Sequence, residues 1–536
     1  MQKSGGSKRF MRVLGVGVLV GCVTLSMGML ASTSSADDLP TPTTSTVATD
    51  DGSSDASTTP PPIVVQSQPA GTTPPYGTDN PVTLETSFSR PVKAISSQAN
   101  SDFSLLNELE RLIRGSYRDP VTGNWRPEAE RKANHVYLSI SRMEDSHRVG
   151  RELIAAAKAG VHVDVIHGKA SQSKESRSLQ SNLNNSTFEG KHYGRFHICN
   201  KGKSLACLSS LNGAIMHSKL LYIWSTYNRN NEKVHGAIWT GSANLGGPSG
   251  ERTWNNGVTI YNDMKLNHQI QSLWDDMWQE RGIGNDYLSH VRDHGSDYGF
   301  SASSGSFGYT STTAKQQYYV YPDGSHSAPV FGGMFYSNLA NVTIYQTPLY
   351  ATPSNGKDPV MNALNRVIPD DDCHIRVQNN RFKYRRIAVA QKLVELANRG
   401  CTVEAIAFED DLAVNRTAHC QQYLRICKPI LDVFRTANVR IPAAYAKPHD
   451  KIITIDALMT RNKLNPEELQ ANGQPYPFTG GVRTKFVQTG SANMTGSNLV
   501  VSDEIFLEST DPQVFADYLQ HWKAIWKSHE HKDWAY

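Results

Sequence analysis

Polar and apolar residues alternate in the same order in two separate parts of the chain. The stretch His135–Ser141 alternates as a strand does, residues 148–160 place apolar side chains at helical spacing, and Val161–Ile166 alternates again. A strand, a helix and a second strand in this order predict a βαβ unit, because parallel strands need a crossover connection.

The second part repeats this order, with strand-like stretches at Cys373–Val377 and Cys401–Phe408 on either side of a helical pattern at Arg385–Gly400. Each part also has two further strand-like stretches downstream. These are Leu220–Trp224 and Ala237–Thr240 in the first part, and Ile452–Asp456 and Phe486–Thr489 in the second. The sequence therefore predicts an α/β fold built from two duplicated α/β/α halves.

The downstream strands carry a repeated pair of motifs. A His-x-Lys sequence begins the first strand of each pair, and Gly-Ser-Ala-Asn follows the second strand. The pairs are His217–Lys219 with Gly241–Asn244, and His449–Lys451 with Gly490–Asn493. Two other His-x-Lys sequences, beginning at His167 and His521, have no Gly-Ser-Ala-Asn after them. The pairing indicates a duplicated phosphate-binding site rather than coincidence.

On these motifs the chain resembles the phospholipase D superfamily over about residues 103–530. The second copy keeps the family's H-x-K-x4-D spacing through Asp456, and Glu504 lies where the family places a carboxylate that orients a histidine. The first copy departs from the pattern, with Trp224 in place of the aspartate and the amides of Trp254–Gly257 in place of an acidic residue. The resemblance implies that both halves pack around one active site.

The residue types suit a reaction at an anionic phosphodiester, whose charge repels a nucleophile unless it is masked. Ammonium and amide groups can donate hydrogen bonds to the non-bridging oxygens, and the serine hydroxyls can bind the phosphate or hold the lysines. The candidate donors are Lys219, Lys451, Asn244, Asn493, Ser242 and Ser491.

Two histidines can divide the displacement into two steps. A neutral imidazole attacks phosphorus to give a phosphohistidine, and the other histidine protonates the leaving alkoxide and then deprotonates the incoming water or alcohol. The resemblance favours His217 as the nucleophile with His449 as the general acid and base, whereas the nearby Glu504 favours His449 as the better-oriented ring, so the sequence leaves both assignments open. We expect Glu504 to accept the Nδ1–H of His449 and fix its tautomer. The scheme requires no metal or other cofactor.

Three functions fit these residues. The first is a phospholipase D-type phosphodiesterase that hydrolyses or transfers phospholipid head groups, the second is a nuclease of the same superfamily, and the third is a non-catalytic phosphate-binding relative. The net charge of +4 is compatible with an anionic lipid surface or a nucleic acid. We identify no dense block of Lys and Arg with interleaved aromatic residues, so we favour a phospholipid at a membrane surface as the substrate and keep a nucleic acid as the alternative. We also expect a monomeric protein.

The amino-terminal segment has the features of an export signal. Basic residues from Lys3 to Arg12 precede an apolar stretch at 13–31, and small residues lead to Asp37, so we expect a cleaved signal peptide at 1–36. The alternatives are a membrane-spanning helix and a lipid anchor at Cys22. Residues 37–102 are rich in Thr, Ser and Pro and predict a disordered spacer.

Domain boundaries and cysteines complete the expectations. The halves are expected at 103–290 and 326–536, joined by a linker at 291–325. Six cysteines remain after signal removal, an even number that suits disulfides in an oxidising compartment. Spacing favours Cys199 with Cys207, and parallel neighbouring strands favour Cys373 with Cys401, which leaves Cys420 with Cys427.

Overall fold

The structure is a computed structural model, and it describes the two motif-bearing halves with several gaps. The predicted signal peptide and Cys420 lie outside the described residues, as do most of the predicted spacer (37–80 and 92–100) and most of the predicted linker (299–325). The described ranges are 81–91, 101–144, 148–168, 172–200, 203–298, 334–336, 342–351, 357–408, 426–459, 482–529 and 531–533.

The first half combines a mixed sheet with helices on both faces. Its strands are β1 (Thr83–Ser89), β2 (His135–Ile140), β3 (His162–His167), β4 (Thr187–Phe188), β5 (Lys191–His192), β6 (Gly194–Ile198), β7 (Lys219–Tyr227), β8 (Lys233–Gly241) and β9 (Asn255–Tyr261). Its helices are α1 (Ser104–Gly115), α2 (Glu128–Lys132), α3 (Arg148–Lys158), α4 (Lys174–Asn184), α5 (Pro248–Glu251), α6 (Met264–Trp278) and α7 (Tyr287–Asp293), followed by a 3-10 turn at Gly295–Tyr298.

The second half repeats this arrangement. Its strands are β10 (Phe335–Tyr336), β11 (Val342–Gln346), β12 (Val367–Ile368), β13 (His374–Asn379), β14 (Thr402–Phe408), β15 (Pro442–Ala446), β16 (Lys451–Met459), β17 (Val482–Gly490), β18 (Ile505–Ser509) and β19 (His531–Asp533). Its helices are α8 (Pro359–Asn365), α9 (Ile387–Asn398), α10 (Lys428–Phe434), α11 (Gly496–Val500) and α12 (Pro512–Ser528), and a 3-10 turn at Tyr384–Arg386 precedes α9.

Strand order shows the duplication directly. The first sheet runs β1-β9-β8-β7-β2-β3-β6, and the second contains the matching run β11-β18-β17-β16-β13-β14-β15. The predicted βαβ pairs β2–β3 and β13–β14 are parallel, whereas β7 and β16 pair antiparallel with β2 and β13. The predicted α/β fold of two duplicated halves is therefore confirmed.

The strand β1 corrects the expected domain boundary. Residues 83–89 fall in the predicted spacer, yet they pair in register with β9 from Thr83 opposite Tyr261 to Ser89 opposite Asn255. The matching strand in the second half is β11, which pairs with β18. Few of these residues are apolar, because an edge strand is stabilised mainly by its backbone pairing. Each half therefore has a strand before its βαβ unit; β1 lies at the edge of its sheet, whereas β11 is flanked by β10 and β18.

Alternating side chains of β2 explain why helices cover both faces of the first sheet. Val136 and Leu138 pack in a cluster with the apolar face of α1, while Tyr137, on the other face, packs against Trp274 of α6. The cluster that contains Tyr137 continues through the second half as far as Tyr518 of α12. The two halves therefore share a core, which fixes their relative position.

Disulfides close two loops as the spacing favoured. Cys199 is bonded to Cys207, and Cys373 is bonded to Cys401. Both predicted pairings are confirmed, while the third involves Cys420, which lies outside the described residues. None of the helices in the described ranges combines the length and the apolar character that crossing a bilayer requires.

Candidate active site

The two His-x-Lys motifs lie at matching edges of the two sheets. Lys219 begins β7 and stands opposite Ile140, the last residue of β2, while Lys451 begins β16 opposite Asn379, the last residue of β13. Each histidine precedes its lysine by two residues. Both motifs are thus at the carboxyl end of the first parallel strand of their half, the edge where ligands of α/β sheets usually bind.

Backbone hydrogen bonds tie each histidine to the opposite half. The amide of His217 donates to the carbonyl of Asp503 (2.9 Å), and the amide of His449 donates to the carbonyl of Trp254 (2.9 Å). A buried contact between Asn256 Nδ2 and Asp450 Oδ1 (2.6 Å) also joins the halves beside the second motif. These crosswise contacts bring both histidines to one junction.

The Glu504 carboxylate orients His217 rather than His449. Its oxygens accept a hydrogen bond from His217 Nδ1 (2.8 Å) and further bonds from Ser491 Oγ and Asn498 Nδ2. Our expectation that Glu504 orients His449 of its own half is therefore wrong. The reason is the crosswise packing, which places the residue thirteen positions after each Gly-Ser-Ala-Asn serine against the histidine of the other half.

An amide takes the same position at His449. Asn255 Oδ1 lies 2.9 Å from His449 Nδ1, and Asn255 Nδ2 donates to the carbonyls of Ser249 and Thr253 (both 3.0 Å). Backbone carbonyls only accept hydrogen bonds, so they assign the amide nitrogen to their side and the oxygen to His449. His449 Nδ1 therefore carries a proton, which leaves Nε2 to exchange protons with the substrate.

The motif serines support these orienting residues. Ser242 Oγ donates to Asn255 Oδ1 (3.1 Å) and accepts from the Asn256 amide (3.0 Å); in the second half Ser491 Oγ donates to Glu504 and accepts from the Ile505 amide (2.9 Å). Both hydroxyls are buried and engaged in these bonds. Both serines thus hold the orienting residues in place, and their phosphate-binding role stays a prediction.

The two lysines are buried beside the histidines. Lys219 Nζ donates to the carbonyl of His217 (2.6 Å), and Lys451 Nζ donates to the carbonyl of His449. Burial lowers the pKa of Lys219 to about 8 and lowers that of Lys451 well below its usual value, where the positive charge of Lys219 adds to the effect. The negative charge of a ligand bound in this desolvated place would raise both pKa values again, so the site favours an anionic ligand.

The Glu504–His217 pair is desolvated as well. Burial raises the pKa of Glu504 to about 8, and the charge of Lys219 opposes this rise. Burial lowers the pKa of His217 well below its usual value, and the charges of Lys219 and Lys451 lower it further. A neutral imidazole is the form that can attack phosphorus, so this environment suits a nucleophile.

The motif asparagines keep an acceptor atom unused. The side-chain oxygens of Asn244 and Asn493 are buried and have no hydrogen-bond partner within the described part of the chain. Asn493 and Lys451 line the same cavity. The sequence analysis proposes both asparagines as phosphate donors, and that role stays a prediction.

Asp456 and its counterpart Trp224 lie away from this junction. Each is five residues after the motif lysine, and alternation along β16 and β7 directs position five to the opposite face of the strand. Trp224 is buried on that face against His135, with ring centroids 4.0 Å apart. Asp456 stands opposite the first residue of β13 and Lys451 opposite the last, so the structure does not support the catalytic role that we expected for Asp456. The tryptophan at position 224 likewise takes no group away from the site.

Sequence reasoning missed two residues that hold the site together. From the sequence, Asn255 is only part of the first copy's departure from the family pattern, and Asp503 has no predicted role. The Asp503 carboxylate accepts hydrogen bonds from the amides of Cys207 (2.6 Å), Leu208 (3.2 Å) and Ser209 (3.3 Å), and thus holds the loop closed by the Cys199–Cys207 disulfide. The equal spacing of 13 residues in Ser242–Asn255 and Ser491–Glu504 is the signal that could have identified Asn255.

One side-chain group among the described residues has metal-ligand spacing. It comprises His197, Cys199 and Glu280. The Cys199 sulfur is bonded to Cys207, and His197 Nε2 lies 2.9 Å from Glu280. A disulfide sulfur is not a thiolate ligand, so this group does not fit a metal site.

Comparison with known proteins places the chain in a family. The family model described as the PLD-like domain of cardiolipin synthase matches residues 129–278 and 372–526, more than half of the chain. The chain therefore belongs to the phospholipase D-like family, whose members act on phosphodiesters. No curated protein matches it significantly.

Solved structures with a related fold are distant. Phosphatidylserine synthase from Haemophilus influenzae is 10% identical, with 83% of this chain and 89% of that chain covered and a TM-score of 0.43. Polyphosphate kinase from Porphyromonas gingivalis is 10% identical, with 82% of this chain and 49% of that chain covered and a TM-score of 0.39. The present chain therefore spans about half the length of that protein. The phospholipase D family member Nuc from Salmonella typhimurium is 17% identical, with 36% of this chain and 97% of that chain covered and a TM-score of 0.24. At these TM-scores no substrate is carried over to the present chain.

Proposed function

We propose that the chain is a phosphodiesterase that works through a phosphohistidine on His217. The observation that carries the proposal is the unequal support of the two histidines, an acidic residue at His217 and a neutral amide at His449. A carboxylate stabilises the positive ring formed when the imidazole bonds to phosphorus. An amide fixes the tautomer of His449 without holding its proton, which suits a group that must give and take one.

In the first step, Nε2 of His217 donates its lone pair to phosphorus while its Nδ1–H remains bonded to Glu504. The bond between phosphorus and the leaving oxygen breaks, and the proton on His449 Nε2 moves to that oxygen. The buried amino groups of Lys219 and Lys451 donate hydrogen bonds to the non-bridging oxygens, whose negative charge in turn favours the ammonium form of both lysines. The products are an alcohol and a phosphohistidine.

In the second step, neutral His449 takes a proton from water, and the water oxygen bonds to phosphorus. The phosphorus–nitrogen bond breaks and its electron pair returns to His217 Nε2. This restores both histidines to their starting protonation states, so every proton that leaves His449 comes back to it. An alcohol in place of water gives group transfer instead of hydrolysis.

The substrate was expected to be a phospholipid head group, with a nucleic acid as the alternative. Support for the phospholipid rests on the resemblance and on the mildly basic charge. Purified mature protein assayed on phosphatidylcholine vesicles and on single-stranded and plasmid DNA, each with EDTA, separates the two classes. Loss of all turnover with EDTA would contradict the proposed chemistry.

Export and a monomeric state complete the proposal. The two disulfides fit an oxidising compartment. Cleavage near Asp37, rather than a lipid at Cys22, is tested by the intact mass of secreted protein, and the monomer by light scattering.

A further inference from the structure

The turn that follows β13 alternates basic and aromatic residues beside the candidate active site. Its sequence from Arg381 to Arg386 is Arg-Phe-Lys-Tyr-Arg-Arg. The expectation that the chain lacks a block of this kind is therefore wrong, because the block is only six residues long and does not change the overall composition. We call residues 381–386 the basic turn.

Three contacts hold the backbone of the basic turn. Asn379 Oδ1 accepts from the amide of Arg381 (3.1 Å), and the amide of Lys383 donates to the carbonyl of Met494 (2.9 Å). Phe382 is buried against Phe434, with ring centroids 6.1 Å apart. The turn is thus fixed to the Gly-Ser-Ala-Asn loop on one side and to α10 on the other.

Arg386 anchors the end of the turn. Its guanidinium is buried and forms a two-pronged ion pair with Asp358, which also caps α8. Phe382 and Arg386 therefore have structural roles. The residues that remain exposed are Arg381, Tyr384 and Arg385, with Tyr384 56% exposed.

The exposed side chains stand next to the reacting groups. The positive charge of Arg381 contributes to the lowered pKa of both His217 and Lys451. A Cβ on Gly496 would lie 2.6 Å from Cβ of Arg385, so the stem of Arg385 packs on the turn just after Asn493. The basic turn is therefore continuous with the place where a phosphate would bind.

The segment of the first half that matches the basic turn in sequence, residues 142–147, is Arg-Met-Glu-Asp-Ser-His and contains a single arginine and two acidic residues. Arg142 follows β2 as Arg381 follows β13, but Arg142 forms an ion pair with Glu144 (3.1 Å). The residue that matches Glu144 in the second half is Lys383. The charge asymmetry means that a polyanion leaving the site is attracted to the second half.

On the basis of the proposed function, we infer that Arg381, Tyr384 and Arg385 bind the nucleotides next to the scissile phosphate of a single-stranded nucleic acid. Two guanidinium groups suit neighbouring phosphates of a polymer, whereas a phospholipid brings its single phosphate to the reacting centre. An exposed tyrosine offers a ring on which an unpaired base can stack. The other large exposed apolar or aromatic residues in the described ranges, Val121, Trp125, Tyr350 and Val439, belong to other segments, so the turn lacks the apolar anchors of a membrane-inserting loop.

The test measures binding and turnover separately. A fluorescent 20-nucleotide single-stranded DNA is titrated into His217→Asn protein, with and without the double substitution Arg381→Ala and Arg385→Ala. We expect the double variant to bind at least about tenfold more weakly and to reduce the slope of log affinity against log salt by about 1 to 2. Tyr384→Ala should weaken binding about tenfold and Tyr384→Phe should not, since the ring and not the hydroxyl stacks.

A matched control removes the same charge elsewhere. Arg399→Ala with Arg435→Ala deletes two partly exposed arginines that pair with Glu395 and Asp432, and it should leave DNA binding within about twofold. Equal loss in both double variants would overturn the inference by reducing it to net charge. Unchanged DNA binding in the basic-turn variant would also overturn the inference. Binding to anionic phosphatidylglycerol vesicles is measured in parallel, and a variant that binds these vesicles more weakly but binds DNA as before would overturn it as well.

Turnover of bis(p-nitrophenyl) phosphate by otherwise wild-type protein distinguishes this inference from the proposed function. The small diester reaches only the reacting centre, so in the basic-turn variant kcat/KM on the 20-mer should fall at least about fivefold further than kcat/KM on the small diester. A similar fall on both substrates would overturn the inference by placing the turn in the reacting centre. Absence of turnover in wild-type protein would contradict the proposed function while leaving the binding result to decide the inference.

Discussion

Glu504 in the second half accepts a 2.8 Å hydrogen bond from Nδ1 of His217 in the first half. Asn255 in the first half makes the matching contact, 2.9 Å long, with His449 in the second. Each half thus supplies a histidine and the residue that orients the histidine of the other half. A single half therefore holds an incomplete site, and the two supports differ in charge.

The first prediction concerns this difference. Glu504→Gln should lower kcat by at least about 10²-fold, because the glutamine NH2 must face one of the three donors that now meet at the carboxylate. The matched change Asn255→Ala should be milder, since a water can accept from His449 Nδ1. Steady-state kinetics on bis(p-nitrophenyl) phosphate measures both. Equal loss in the two variants would contradict the unequal roles of the histidines.

The second prediction concerns pH. Burial raises the pKa of Glu504 to about 8, so below this pH the carboxyl group gains a proton and no longer stabilises the positive ring that forms on His217. Burial lowers the pKa of Lys219 to about 8, so above this pH the ammonium charge is lost. We therefore expect the plot of kcat/KM against pH to be a narrow bell with its maximum near pH 8. The apparent pKa values of its two sides describe the interacting groups Glu504, His217 and Lys219 together. A profile that is flat from pH 6 to 9 would contradict this description.

The third prediction uses the two disulfides as a matched pair. Cys199→Ser with Cys207→Ser should lower the free energy of unfolding by about 2.5 kcal/mol and also lower kcat, because the freed loop holds Asp503 next to Glu504. Cys373→Ser with Cys401→Ser should lower the free energy of unfolding by about 3.5 kcal/mol. This variant should leave kcat unchanged, because the disulfide lies at the amino ends of β13 and β14 and the candidate site lies at the carboxyl end of β13. Denaturant unfolding and kinetics on the same samples check this. Unchanged kcat in the first variant would exclude the positioning role of that loop.

The fourth prediction concerns the two positions on the far face of the motif strands. Asp456→Asn should leave kcat within about threefold, because the side chain points away from the junction. Trp224→Asp should restore no activity and should cost at least about 3 kcal/mol of stability, because it removes a buried ring and buries a carboxylate. A large gain in activity for Trp224→Asp would show that the family's aspartate belongs to the active site.

The sequence predicted the parts of the fold that depend on local pattern. Alternation identified β2 and β3, the repeat identified both motifs, and parallel neighbours identified the bond between Cys373 and Cys401. It did not predict β1, because seven mostly polar residues become a strand only by pairing with β9, more than 160 residues later.

The sequence predicted which histidines and lysines form the candidate site, but it did not predict which residues they contact. The motif residues gave the histidines and lysines, whereas the partner of each histidine depends on how the halves pack. Glu504 is 55 residues from His449 and 287 from His217, so sequence distance favoured the wrong ring. The bonds of Ser242 and Ser491 to Asn255 and Glu504 could not be predicted either, because they exist only after folding.

Trapping the covalent intermediate tests the central claim most directly. His449→Asn protein is mixed with excess bis(p-nitrophenyl) phosphate, whose leaving group needs no acid, and the burst of p-nitrophenol and the phosphorylated peptide are measured in EDTA. We predict a burst of about one equivalent, an adduct on the peptide that contains His217, and no burst from His217→Asn protein. An adduct on His449 in His217→Asn protein, or no adduct in either variant, would contradict the account.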